Sequence, residues 1–126
     1  MNSKTILIVD DDPAISLIFE FILQQAGYQT QTAFNGQDAL RIVNSVAVDM
    51  VFLDLKMPGM SGLEVYNEIQ TIKPGLLVIF MTGYSVDNFL KEAFNMGAYA
   101  IIYKPFDVEE VLAIIETAFS FSGTSI

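Results

Sequence analysis

Thr5-Ile6-Leu7-Ile8-Val9-Asp10-Asp11-Asp12-Pro13 decides how this chain is read. Its first half is apolar almost to the last residue, as a strand buried on both faces should be. Asp12-Pro13 then reads as a helix N-cap with proline in the first helical position. The stretch is thus a strand running straight into a helix. Three further apolar runs end on a polar residue in the same way. Met50-Val51-Phe52-Leu53 ends on Asp54, Leu76-Leu77-Val78-Ile79-Phe80-Met81 on Thr82, and Ala100-Ile101-Ile102-Tyr103 on Lys104-Pro105. The pattern predicts strands near 5–9, 29–33, 50–54, 77–82 and 100–103. It predicts helices near 13–26, 36–45, 62–72, 86–96 and 107–120. Such alternation implies right-handed parallel crossovers and a doubly wound α/β sheet. Gln29-Thr30-Gln31-Thr32-Ala33 is polar and suits an edge strand. Ser61-Gly62-Leu63-Glu64 reads as a capping box and Asp107-Val108-Glu109-Glu110 as a close variant. Gly27 and Gly97 suit left-handed helix ends.

The 126 residues fit a single domain over 1–126, with a core at 4–120, a frayed tail at 121–126 and no output domain in this chain. About half the residues are apolar, which argues against disorder. No apolar stretch approaches a membrane span, and Asp10 to Asp12 interrupt any signal-peptide layout. A cytoplasmic location is the default expectation. Cysteine and histidine are both absent, which excludes disulfides, thiolate sites and the usual zinc ligand and general base. A formal charge of −9 argues against direct nucleic-acid binding.

Ligands of open parallel α/β sheets bind outside the carboxyl ends of the strands. That edge would gather three carboxylates (Asp10, Asp11 and Asp54), the Thr82 hydroxyl and the Lys104 ammonium. Hard cations such as magnesium take one or two carboxylates together with waters and phosphate oxygens. Three like charges packed together are costly without a cation. A carboxylate can also act as a nucleophile and form an aspartyl phosphate, with hydroxyl and ammonium groups facing the phosphoryl oxygens. Asp12 is expected to cap the helix and not to join the site. Proline after Lys104 allows a cis peptide there.

Assembled in this order, the residues resemble the receiver domain of two-component response regulators. The resemblance covers residues 4 to 120. It rests on Ile-Leu-Ile-Val-Asp-Asp at 6–11, Asp-Leu-Lys-Met-Pro-Gly at 54–59, Ser-Gly-Leu-Glu at 61–64, Met-Thr-Gly at 81–83, and Gly-Ala at 97–98 leading to Lys-Pro-Phe at 104–106. It implies a flavodoxin-like (βα)5 fold with strand order 2-1-3-4-5. It implies that Asp54 accepts a phosphoryl group from a phosphohistidine on a sensor histidine kinase or a histidine phosphotransfer protein. Asp10 and Asp11 match the magnesium-holding pair, with Asp54 and the Lys56 backbone carbonyl as further ligands and manganese as a substitute metal. Thr82 and Lys104 match the groups that contact the phosphoryl oxygens. The implied protein is a signalling module that catalyses its own phosphorylation and dephosphorylation, and not a free-standing enzyme. The side chains of Lys56 and Tyr84 fall where the family tunes hydrolysis. One departure is Ile101, which stands where the family often carries a switch aromatic.

The first helix carries surplus apolar residues. Ile15, Phe19, Ile22, Leu23 and Ala26 make an inward stripe, and Ala14, Leu17 and Phe21 make a second one. Ala14, Leu17 and Ile18 are the expected docking residues for a helical bundle bearing the phosphohistidine. Leu112 and Ile114 in the last helix are candidates for a homodimer face or for the contact with a missing output domain. Three other readings compete. A magnesium-dependent phosphatase of the dehalogenase type would need a Thr that Asp10 to Ala14 lacks. A receiver-like module that takes no phosphate typically loses a site residue, and none is lost. A flavodoxin-like cofactor binder would need a phosphate-cradling loop where Asp10 to Asp12 stand.

Overall fold

The structure is a computed structural model, and it describes residues 3–83, 95 and 97–122. Five strands, β1 (Thr5–Val9), β2 (Gln29–Ala33), β3 (Met50–Asp54), β4 (Leu77–Thr82) and β5 (Ala100–Tyr103), form one sheet. Every strand pair is parallel, and the order is β2-β1-β3-β4-β5. The described helices are α1 (Pro13–Gln25), α2 (Gly36–Ser45), α3 (Gly62–Ile72) and α4 (Val108–Ser122). Apart from residue 95, the helix expected at 86–96 lies outside the described residues. The last helix runs two residues beyond its expected end at 120, into the stretch expected to fray. No described helix is long and apolar enough to cross a membrane.

The strands alternate strictly between two apolar layers. Leu7, Val9, Val51, Leu53, Val78 and Phe80 face α2 and α3, where they meet Ala39, Val43, Val65, Tyr66 and Ile69. Ile6, Ile8, Met50, Phe52, Ile79, Met81 and Ile102 form the other layer with Phe19 and Leu23 of α1 and Val111, Ile115 and Ala118 of α4. Phe19 stands at the centre of the second layer, its ring 4.7 Å from Phe52 and edge-on to Phe106 at 4.9 Å. The edge strand β2 is polar because only Ala33 in it is buried.

Local chemistry fixes the helix ends. The Asp12 carboxylate accepts the Ala14 N–H at 3.0 Å, so the expected cap forms. Ser61 and Glu64 make the full capping box: the Ser61 hydroxyl accepts the Glu64 N–H, and the Glu64 carboxylate accepts the Ser61 N–H. After Asp107, one carboxylate oxygen accepts the Glu109 N–H at 3.0 Å. Gly27, with φ of +97°, supplies the left-handed residue that turns the chain from α1 into β2.

The inward face of α1 is rotated from the expected stripe. Ser16, Phe19 and Leu23 are buried, Ile15 and Ile22 only half-buried, and Ala26 exposed. Ala26 is the C-cap and already leaves the sheet, while the 16–19–23 spacing puts a small polar residue nearest the site.

Candidate functional site

Period-two alternation explains which chemical groups meet. Asp10, Asp54 and Lys104 continue the phase of Ile8, Phe52 and Ile102, all on the α1 and α4 side. Thr82 continues the phase of Val78 and Phe80 on the other side. The β1 ladder extends one residue past the strand, since the Asp10 N–H donates to the Ala33 carbonyl at 3.1 Å. The β5 ladder does the same, with the Lys104 N–H donating to the Thr82 carbonyl at 2.8 Å. These extra bonds bring Asp10 level with Asp54 and set Lys104 two residues beyond, from where its ammonium reaches both acids. The Lys104–Pro105 peptide bond is cis.

Carboxylate oxygens of Asp10, Asp11 and Asp54 all lie within 4.8 Å of one another. Asp10 is fully buried and Asp54 is 5% exposed, whereas Asp11 opens to solvent. The Lys104 ammonium sits between the buried pair, 2.6 Å from Asp10 Oδ2 and 3.1 Å from Asp54 Oδ2. Asp54 Oδ1 accepts the Lys56 N–H at 3.1 Å, and Asp10 Oδ1 accepts the Asp12 N–H at 2.9 Å. Asp10 Oδ2 is different. Its partner is the Lys104 ammonium at 2.6 Å, with no further donor on it among the described residues. A buried carboxylate oxygen in that condition, beside two more carboxylates, fits a hard divalent cation. Asp12 faces its own helix and is no part of the group.

Burial pushes the Asp54 carboxyl above its ordinary range, and the Asp10 charge adds to that. The Lys56 N–H and the Lys104 ammonium pull the other way without cancelling it. For Lys104, burial alone would lower the ammonium, but Asp10 and Asp54 outweigh it and hold it above the usual lysine value. The site is therefore a lysine bound between acids that repel each other, open to solvent on the Asp11 side.

Thr82 is buried at the end of β4. Lys56 is exposed in the loop after β3, and Tyr84 lies outside the described residues. Ile101 is half-buried against the α2–α3 layer, and Tyr103, two residues on and so in the same phase of β5, is largely exposed. Tyr103 pairs in register with Thr82, on the side that Ile101 shares with it. Sequence reading missed Ser16, whose buried hydroxyl lies 3.4 Å from the Asp10 carbonyl. Its signal was the helical spacing with Phe19 and Leu23.

The sequence profile of the response regulator receiver domain matches residues 6–116. The chain belongs to that family. Sporulation initiation phosphotransferase F of Bacillus subtilis is 40% identical over 111 residues, covering 88% of this chain and 89% of that protein. The DNA-binding transcriptional regulator NtrC of Escherichia coli is 36% identical over 120 residues. That alignment covers 95% of this chain but 26% of NtrC, so the receiver spans about a quarter of that relative. Response regulator TrrA of Thermotoga maritima, solved in complex with Mg2+-BeF, superposes with a TM-score of 0.82 at 37% identity. The superposition covers 90% of this chain and 97% of TrrA. This receiver domain is a signalling module of the two-component type, with the flavodoxin-like fold and strand order that its sequence implies. The match sets it apart from the dehalogenase-type phosphatases.

Proposed function

We propose that this receiver takes a phosphoryl group from a phosphohistidine onto Asp54. One observation carries the reading: a half-buried lysine shared by two buried aspartates, with a third carboxylate beside them at the solvent edge. In the transfer an Asp54 carboxylate oxygen forms a bond to phosphorus as the bond from phosphorus to the imidazole nitrogen breaks. Asp10, Asp11, Asp54 and the Lys56 carbonyl would hold magnesium, or manganese in its place. The metal supplies positive charge against the phosphoryl oxygens and relieves the repulsion among the carboxylates. Lys104 faces one phosphoryl oxygen and the Thr82 hydroxyl another, stabilising charge as it shifts. The same groups act in the later hydrolysis, so the domain catalyses both steps on itself, and Lys56 and Tyr84 steer the attacking water. TrrA with bound Mg2+-BeF supports the assignment, because a fluoroberyllate group resembles a phosphoryl group in charge and size.

The phosphohistidine donor is a sensor kinase or a phosphotransfer protein, and α1 is its docking surface. Leu17 is 67% exposed and Ile18 58%, with Ala14 exposed one turn nearer the site. Such a cluster exceeds what a lone surface residue requires. Incubation with magnesium and a small acyl phosphate, followed by intact mass, tests the chemistry. A phosphoryl adduct that disappears in Asp54→Asn is expected. No adduct, or one that survives the substitution, overturns the assignment.

A further inference from the structure

Two helices begin on a buried glycine. Gly36 and Gly62 hold the first helical position after the N-caps Asn35 and Ser61, and neither has a positive φ. Space, not backbone conformation, is what the missing side chain provides. A Cβ on Gly36 would lie 2.6 Å from Val65 Cγ2, with the Met60 side chain next at 3.1 Å. A Cβ on Gly62 would lie 2.5 Å from the Asp54 carbonyl oxygen and 2.8 Å from Leu55 Cα. The first obstacle is side chain and can turn away. The second is the backbone of the residue that carries the acceptor carboxylate. The Gly62 N–H also donates to the Leu55 carbonyl at 3.1 Å, closing the loop between them. That loop contains Lys56, whose N–H fixes Asp54 Oδ1.

We infer that Gly62 is a positioning residue for phosphoryl acceptance, its bare Cα seating the start of α3 on the end of β3 and thereby fixing Asp54. The inference rests on the reading of Asp54 as acceptor. Carbon contacts relax to roughly 3.5 Å, so a methyl at Gly62 must move backbone by about 1 Å. A displacement of that size at reacting groups costs on the order of 10²-fold in rate. Gly36 is the matched control: the same helix position, equally buried, equally tight, but remote from Asp54 in its contacts.

The test compares Gly62→Ala, Gly36→Ala and the unsubstituted chain at one temperature below every melting point. Magnesium affinity is measured by calorimetry, and the adduct rate at saturating magnesium with a small acyl phosphate by intact mass. Gly62→Ala is expected to weaken magnesium binding by about tenfold, as changes behind metal ligands do. Its adduct rate should fall on the order of 10²-fold. Gly36→Ala should melt earlier yet keep both values, because its Cβ meets the Val65 and Met60 side chains and not the Asp54 backbone. If Gly62→Ala unfolds, all variants are measured in a stabilising osmolyte. A folded Gly62→Ala with unsubstituted affinity and rate overturns the inference alone. So does Gly36→Ala losing as much, or Gly62→Ala failing to fold even with osmolyte. An unsubstituted chain that takes no phosphoryl group overturns the Asp54 reading beneath it, which keeps the two failures distinct.

Discussion

β3 has an aspartate at each end, and the two do opposite things. Before the strand, Asp49 Oδ2 accepts the Thr5 N–H at 2.8 Å, and the Asp49 N–H donates to the Thr5 carbonyl at 2.8 Å. This carboxylate joins β1 to β3 at their start and is half-buried with its charge met. At the strand's far end Asp54 is buried beside Asp10, and its pKa is pushed up by burial. One acid stabilises the fold locally; the other is held beside further carboxylates, in an environment that favours a cation. Residue type does not separate them. The direction of a parallel sheet does, because all of its carboxyl ends face the same edge.

The largest expected effect breaks the comparison at its active end. Asp54→Asn should abolish the phosphoryl adduct, while Asp49→Asn should leave adduct formation intact and destabilise the fold by roughly 1–2 kcal/mol, as for a hydrogen bond to a charged group. Intact mass and urea denaturation separate the two outcomes. An Asp49→Asn variant that loses the adduct at full stability would erase the distinction between the ends.

Lys104→Gln comes next. It removes the one cation that the described residues place between Asp10 and Asp54. Loss of an electrostatic contact to transferring oxygens typically costs about 10²–10³ in rate. Removing one partner of a buried ion pair also leaves uncompensated charge, so the metal-free protein should melt earlier. Added magnesium should restore part of that loss, since it offsets the same carboxylates. Melting curves with magnesium and with chelator test this directly. A variant that melts no earlier in chelator would show that the lysine is dispensable to the acids.

A third effect appears only with a protein donor. Leu17→Ala/Ile18→Ala should slow transfer from a cognate histidine kinase by about tenfold or more, the usual loss when exposed apolar anchors of an interface are cut back. The rate with a small acyl phosphate should stay the same, because neither residue touches the acids. Equal slowing with both donors would place the defect in the site and not on α1.

The sequence was informative wherever periodicity was strong. Strand phase in 6–9, 50–53 and 100–103 sets Asp10, Asp54 and Lys104 in step with Ile8, Phe52 and Ile102, and the parallel register then brings them to one side of the sheet. Asp12 declared itself a cap through Pro13. Contacts across long separations were not legible. Nothing local marks Asp49 as the partner of Thr5, forty-four residues away. Nothing in Ser61-Gly62 shows that a Cβ would strike the Asp54 carbonyl. The rotation of α1 was missed because apolar residues outnumber the positions one buried face can use, so Ser16 took a place that Ile15 was expected to fill. Ile101 was legible as a departure, and its setting against the α2–α3 layer emerged only from the fold.

The smallest effect extends the comparison to a third acid. Glu64, like Asp49, has its charge met by main-chain donors: it accepts the Ser61 N–H at 3.0 Å within the capping box. Ser61→Ala removes the reciprocal bond to the Glu64 N–H and should cost about 1 kcal/mol, the usual loss of an N-cap. Glu64→Gln keeps an oxygen in place for the Ser61 N–H and should cost less. Both variants start the same helix that Gly62 seats on β3, yet neither adds an atom against Asp54. Their adduct rates should therefore match the unsubstituted chain. If capping loss alone slowed phosphorylation as much as Gly62→Ala, the start of α3 would act through its stability and not through the space beside Asp54.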